Sequence, residues 1–270
     1  MADTKLLHVR ISAGYRGYPD VLRRLEIEVG VGEVVGLVDA VGVGKTILPL
    51  AVTRLLEERG GTVKGYLGFR GRNLMELDSR GMKAVRGREI AVMSPISQAP
   101  LDPGMMLGAQ IMEAWRTSCS GKGNDIRPDL PELMRLVRLP VNPEFLEKYP
   151  AELTIDQLCR VRIAMAIVHK PALLVADDPT KGLDPITKLE ILDLLFDLSQ
   201  KLRMGILCLS RDVFSIAPIC HRVAVFKNGE IVETGTPEAV MESFQQASAQ
   251  RLAAAPGKRP MALTKGAAVA

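Results

Sequence analysis

The segment Val41-Gly42-Val43-Gly44-Lys45-Thr46 constrains this chain more than any other stretch of it. It follows Val34-Val35-Gly36-Leu37-Val38, a continuous apolar run that suits a strand buried on both faces. A helical pattern from about Gly44 to Glu58 comes after it. Between a strand and a helix, glycines let backbone N–H groups close around phosphate oxygens, and the helix N-terminus adds its dipole. Lys45 is then placed to reach the β- and γ-phosphates of a nucleotide, and the Thr46 hydroxyl to hold Mg²⁺. The full pattern, G-x-x-x-x-G-K-[ST], has a glycine where this chain has Asp39. A carboxylate several Å from a polyphosphate opposes binding by about 1–4 kcal/mol. Pro49, read in the second turn of the helix, deletes one backbone hydrogen bond. Nucleotide binding is expected, in weakened form.

Further elements place this loop in a layered α/β fold. Leu6–Ser12 and Arg24–Val29 alternate as half-buried antiparallel strands, and Thr62–Arg70 and Glu89–Met93 read as strands. Residues 101–149 change character: they hold the single tryptophan, a polar stretch at 118–124, and helical patterns at Leu107–Arg116 and Pro131–Leu139. A helix at Ile155–His169 leads to a second buried strand, Ala172–Ala176, which ends in Asp177-Asp178. One carboxylate at a strand end is usually solvated or a cap. Two directly after a buried apolar run favour a metal or catalytic role. A helix at Pro185–Leu202, a strand at Gly205–Leu209 and a hairpin turning at Asn228-Gly229 complete the order.

Composition narrows the function class. At 270 residues, with 47% hydrophobic and 24% charged, the chain has the make-up of a globular protein with a full core. No apolar run reaches membrane-spanning length, and no signal-peptide pattern opens the chain, so a cytoplasmic protein without direct membrane insertion is expected. The net charge of +4 is matched by Arg251, Lys258, Arg259 and Lys265 at the end of the chain. Residues 1–250 are therefore formally neutral and do not point to nucleic acid. Residues 251–270 read as a disordered basic tail. The four scattered cysteines, Cys119, Cys159, Cys208 and Cys220, read as inert thiols.

Three further motifs carry a family resemblance. Tyr149-Pro-Ala-Glu-Leu153 with Arg160-Val-Arg-Ile-Ala-Met-Ala166, Leu173-Leu-Val-Ala-Asp-Asp-Pro-Thr180, and Gly182-Leu-Asp184 resemble the signature helix, Walker B strand and D-loop of ABC ATPases. The closest look is to the subunits that energise oligopeptide, dipeptide and nickel importers, and it covers about residues 5–256. The resemblance implies an α/β P-loop NTPase fold of the ABC ATPase type: a mainly parallel core sheet, an antiparallel β subdomain and a helical insert. It implies an ATPase domain over 1–250 with the helical subdomain at about 101–160. It also implies ATP with Mg²⁺, a head-to-tail pairing with a second ATP-binding subunit, and transmembrane permease partners at the cytoplasmic face of the membrane.

Residue by residue, the resemblance assigns Asp177 to Mg²⁺ and places Asp178 where the family has a Glu that polarises the attacking water. Arg211 stands where a His contacts the γ-phosphate; it either binds a phosphate oxygen or is a surface cation. Pro95 stands where a Gln is usual, with Gln98 close by. Tyr15 either stacks on adenine or is a surface tyrosine. Asp184 belongs to the D-loop. The signature reads Leu153-Thr-Ile-Asp-Gln157, so Ile155 and Asp156 replace two glycines, and Asp156 adds negative charge. Thr154 and Gln157 keep polar groups for the partner's γ-phosphate, or form a capping box that starts the helix without any nucleotide. An importer subunit that is the weaker half of a heterodimer is the leading reading. A catalytically silent structural subunit is the second.

Overall fold

In a computed structural model, described over residues 5–39, 46–95, 101–118 and 127–254, the chain folds as two sheets and ten α-helices among the described residues. The N-terminal part runs β1 (Lys5–Tyr15), β2 (Tyr18–Gly30), β3 (Val34–Asp39), α1 (Ile47–Val52), α2 (Leu55–Glu58), β4 (Gly61–Phe69), β5 (Arg72–Asn73), α3 (Ser79–Val85) and β6 (Ile90–Met93). Four helices follow: α4 (Leu107–Thr117), α5 (Leu130–Leu136), α6 (Pro143–Glu147) and α7 (Ile155–Ile167). The rest is β7 (Leu173–Asp177), α8 (Pro185–Leu202), β8 (Gly205–Ser210), α9 (Val213–Ile216), β9 (Arg222–Lys227), β10 (Glu230–Gly235) and α10 (Pro237–Ala254).

The first sheet is antiparallel, in the order β2-β1-β4-β5. Leu7, Val9 and Ile11 of β1 and Leu25, Ile27 and Val29 of β2 are buried, while His8, Arg10 and Glu26 between them face outward. The polar residues pair across the outer face, as in Lys5–Glu28 at 2.8 Å and Arg10–Glu26 at 3.1 Å. Such exposed pairs contribute at most about 1 kcal/mol each.

The second sheet has the order β10-β9-β3-β8-β7-β6, with parallel pairing from β9 to β6 and an antiparallel β9–β10 hairpin. Asn228 and Gly229 both take positive φ, 53° and 94°, as the hairpin turn requires. β3, β7 and β8 are buried at every residue. Side chains alternate between two cores: Leu173 and Val175 join the one shared with the antiparallel sheet, α1 and α2, while Leu174 and Ala176 join the one formed with α7 and α8. Both faces of the central strands are thus covered, which is why they read as uninterrupted apolar runs.

Three expectations need correction. The helix read from Gly44 to Glu58 is broken, because Arg54 adopts a left-handed backbone (φ 53°) between α1 and α2. Arg54 is held there by Nη1 bonds to the carbonyls of Leu74 and Leu77 and by Nε to Glu57. Pro49 is the third residue of α1, not a second-turn residue. The first three helical N–H groups have no intrahelical acceptor, so Pro49 deletes no bond there. At the other end, residues 251–254 form the last turn of α10, while 255–270 lie outside the described residues. Among the described cysteines, Cys159, Cys208 and Cys220 are buried and form no disulfide. Burial pushes Cys159 up to about 11 and Cys220 up to about 12, which keeps both thiols protonated and inert.

Candidate functional site

Parallel pairing sets the C-terminal ends of β3, β8 and β7 side by side. Val38 lies opposite Ser210, and Leu209 opposite Asp177. Asp39, the Asp177-Asp178 pair and Arg211 therefore share one edge of the sheet. In an open α/β sheet, that edge is where ligands bind. Val41, Gly42, Val43, Gly44 and Lys45, which leave the end of β3, lie outside the described residues. Thr46 is exposed at the start of α1 and its side chain makes no capping hydrogen bond.

The carboxylates at this edge differ in their settings. Asp39 is 1% and Asp177 6% exposed, so both are drawn into the fold at their strand ends, and each has an interaction partner there. Asp39 is thus not an open charge on the surface. Asp178 is half-buried and takes φ 43°, a left-handed conformation that Asp tolerates better than most residues. Its N–H donates to the Leu209 carbonyl at 2.9 Å, and its own carbonyl accepts from Lys181 at 3.1 Å. The backbone turn, and not only the shorter side chain, therefore sets where this carboxylate points. Arg211 is exposed immediately after β8. Tyr15 ends β1 opposite Gly61, half-buried and packed on the core it shares with α1. Pro95 is buried just past β6, and Gln98 lies outside the described residues.

The donor set at the edge is oxygen only: the Thr46 hydroxyl and the Asp177 carboxylate. That set fits a hard cation such as Mg²⁺ carried with a polyphosphate.

The start of α7 is built on a different plan. Thr154 Oγ1 accepts from the Gln157 N–H at 3.2 Å, and Gln157 Oε1 accepts from the Thr154 N–H at 3.2 Å. Both side chains are thus turned onto the backbone of their own helix in a reciprocal cap. Asp156 does not stand as added negative charge. Arg160 Nε donates to both of its oxygens, at 2.8 and 2.9 Å, and Arg160 Nη2 donates to Glu190 of α8 at 3.1 Å. Nothing in the motif pattern announces this neutralisation. The hint is an arginine at i+4 from the aspartate on the same helix.

Asp184 is likewise a cap. Its Oδ1 accepts from the N–H groups of Ile186 and Thr187, and Oδ2 from the Thr187 hydroxyl at 2.5 Å. The Thr187 bonds hold this carboxyl below the usual range. The structure thus gathers Asp39, Asp177, Asp178 and Arg211 at one edge, and gives Thr154, Gln157 and Asp184 to two helix starts.

Comparison with known proteins agrees with this architecture. A family model described as ABC transporter matches residues 22–181. The dipeptide transport ATP-binding protein DppD of Escherichia coli K12 is 32% identical over 229 residues, 85% of this chain and 70% of that protein. The glutathione import ATP-binding protein GsiA of the same strain is 34% identical over 240 residues, but the chain spans only 38% of its length. Among solved structures, cbiO1 of Clostridium perfringens, part of the ABC transporter complex cbiONQ, superposes with a TM-score of 0.72 over 93% of this chain and 96% of that one. At 21% identity that likeness speaks for the fold. With more than half of its length matched by the family model, and a 32%-identical relative covered over 70% of its length, this chain belongs to the ABC transporter family of ATP-binding proteins.

Proposed function

We propose that this chain is the ATP-binding subunit of an importer for a peptide-like solute, and the weaker half of a pair with a better-equipped second ATP-binding subunit. The observation that carries the reading is the strand-end edge, with Asp177 buried at the end of β7, one strand away from β3 in the parallel sheet. Lys45, with the backbone of Val41–Gly44, holds the phosphates of the ATP substrate. Thr46 and Asp177 hold Mg²⁺, which neutralises charge on the phosphates. Tyr15 stacks on the base.

Asp178 stands where a base would orient the attacking water, and Arg211 where a γ-phosphate oxygen is contacted. Asp178 is one methylene short of the Glu the family uses, and a displacement of about 1 Å in such a group lowers a rate about 10²-fold. Arg211 remains a cation and takes up no proton at neutral pH. On the partner's nucleotide, Thr154, Gln157 and Asp184 form the facing side. The ATPase domain spans 1–250, with the helical subdomain at about 101–160. Among the described residues no helix is long and apolar enough to cross a membrane. Contact with permease subunits then occurs from the cytoplasmic face. DppD and GsiA, by their names, support a peptide-like solute.

A second reading, a catalytically silent subunit that only binds nucleotide, draws on the self-satisfied start of α7. One experiment separates the two. ATP binding and hydrolysis are measured on the chain alone, with a second ATP-binding subunit, and with the permeases. Turnover that appears only in the complete assembly, and is lost when the second subunit's catalytic carboxylate is removed, supports the weaker half. Binding without partner-dependent turnover supports the silent subunit. Absence of nucleotide binding overturns both.

A further inference from the structure

The outer face of the antiparallel sheet brings a histidine and two glutamates together. His8 of β1 lies directly opposite Glu28 of β2, and Glu26, opposite Arg10, is its diagonal neighbour. Strand alternation turns all three side chains to the same face, within reach of one another. Among the described residues they are the one group of His, Cys, Asp or Glu side chains whose ligand atoms converge, all lying within 4.8 Å of one another. His8 Nε2 is 3.4 Å from Glu26 Oε1 and 3.5 Å from Glu28 Oε1. Those separations are long for an N–H···O bond, which centres near about 2.9 Å. They match the edge of a metal tetrahedron instead: ligand atoms about 2.1 Å from Zn²⁺ stand about 3.4 Å apart.

The imidazole is braced from the other side by β4. Gly68 faces His8 across the strand pair, and Tyr66 faces Arg10. Tyr66 leans over Gly68, where an added Cβ would lie 2.6 Å from its hydroxyl oxygen. Its ring meets the imidazole edge-on, with centroids 5.6 Å apart and planes at 71°. With Tyr66 on one side and the carboxylates on the other, little ring freedom is left to lose when an ion binds.

We propose that His8, Glu26 and Glu28 form a binding site for a divalent transition metal, represented by Zn²⁺, with water completing the coordination. An imidazole nitrogen with two carboxylates suits zinc, whereas Mg²⁺ takes oxygen alone. Lys5 Nζ, 2.8 Å from Glu28 Oε1, and Arg10 Nη2, 3.1 Å from Glu26 Oε1, compete with the metal for the same oxygens. Such exposed pairs are weak, and each carboxylate has a second oxygen with which to keep its cation. The bound ion ties β1 to β2. The site is distinct from the nucleotide edge: at about 3.3 Å per residue, His8 lies about 23 Å along β1 from Tyr15. The inference therefore does not rest on ATP binding or hydrolysis.

The test uses the full chain, stripped with EDTA, in competition with a fluorescent zinc chelator. One Zn²⁺ per chain is expected, with a higher melting temperature when it is bound. His8→Gln and Glu28→Gln are each expected to weaken binding about tenfold or more, and metal-free melting curves show that the fold is kept. Lys5→Met with Arg10→Met is expected to tighten binding, because the competing cations are gone; a purely structural ladder of charges gives no such gain. His169→Gln and His221→Gln are expected to leave it unchanged. No Zn²⁺ binding, or binding that His8→Gln leaves intact, overturns the proposal. Displacement of the Zn²⁺ by equimolar Mg²⁺ also overturns it, and identifies unspecific attraction to surface carboxylates instead.

Discussion

The edge of the parallel sheet and the start of α7 carry the same kinds of residue, and the fold uses them in opposite ways. At the edge, Asp177 ends and Asp178 and Arg211 follow strands whose backbone bonds are satisfied by neighbouring strands, so their side chains are not drawn into capping a helix. At the start of α7, the N–H groups of the first turn have no intrahelical acceptor, and Thr154 and Gln157 satisfy them. Asp156, which a motif comparison places against a phosphate, is taken up by Arg160. Strand register gathers charged groups from several strands at one edge, whereas a helix start turns its polar groups onto its own backbone.

Substitutions that break this contrast are expected to rank as follows. Asp177→Ala, at the edge, is expected to weaken Mg²⁺-dependent ATP binding about 100-fold and to leave Mg²⁺-free binding little changed. Titration with a fluorescent nucleotide, with and without EDTA, reads this directly, and equal loss in both conditions would place Asp177 outside the metal site. Arg160→Met, at α7, is expected to destabilise the fold by about 2 kcal/mol, because it strands Asp156 and Glu190 side by side without their shared cation. Chemical denaturation measures it. A loss under about 0.5 kcal/mol would mean that water already screens the carboxylates.

Thr154→Ala is expected to cost about 1 kcal/mol, the usual value of a helix cap. If nucleotide affinity in the assembled pair falls with no change in stability, Thr154 serves the partner's phosphate instead of its own helix. The smallest effect concerns Asp184, whose carboxyl is held low by the Thr187 bonds. A depressed folded pKa contributes stability that is present above the unfolded value, near about 3.9, and is lost as pH falls through the folded one. Asp184→Asn keeps a capping oxygen but removes this titration. The acid limb of a stability–pH profile should therefore flatten below about pH 4, with neutral pH little affected.

Much of the fold was legible from particular residues. The apolar runs Val34–Val38 and Leu173–Ala176 announce strands covered on both faces, because nothing else buries every side chain of a short run. Arg24–Val29 announces a one-faced strand, and Asn228-Gly229 the β9–β10 hairpin. The capping box at Thr154 and Gln157 was readable for the same reason: its partners are three residues apart, and local geometry alone brings them together. The break between α1 and α2 was not readable. It is imposed by Leu74 and Leu77, whose carbonyls reach Arg54 from the far side of β4 and β5.

The chain's own residues, read in order, determined the family, the parallel core and the identity of the strand-end carboxylates. Each of these follows from local periodicity, or from residues adjacent in sequence. Only the tertiary structure decided which charges remain available. It drew Asp39 to 1% exposure, bent Asp178 into a left-handed turn, and tied Asp156 and Glu190 to Arg160. It also buried Arg162, which forms no ion pair with a carboxylate among the described residues. A charge is neutralised or stranded by what other elements bring against it: Glu190, with which Arg160 also pairs, lies 30 residues further along the chain.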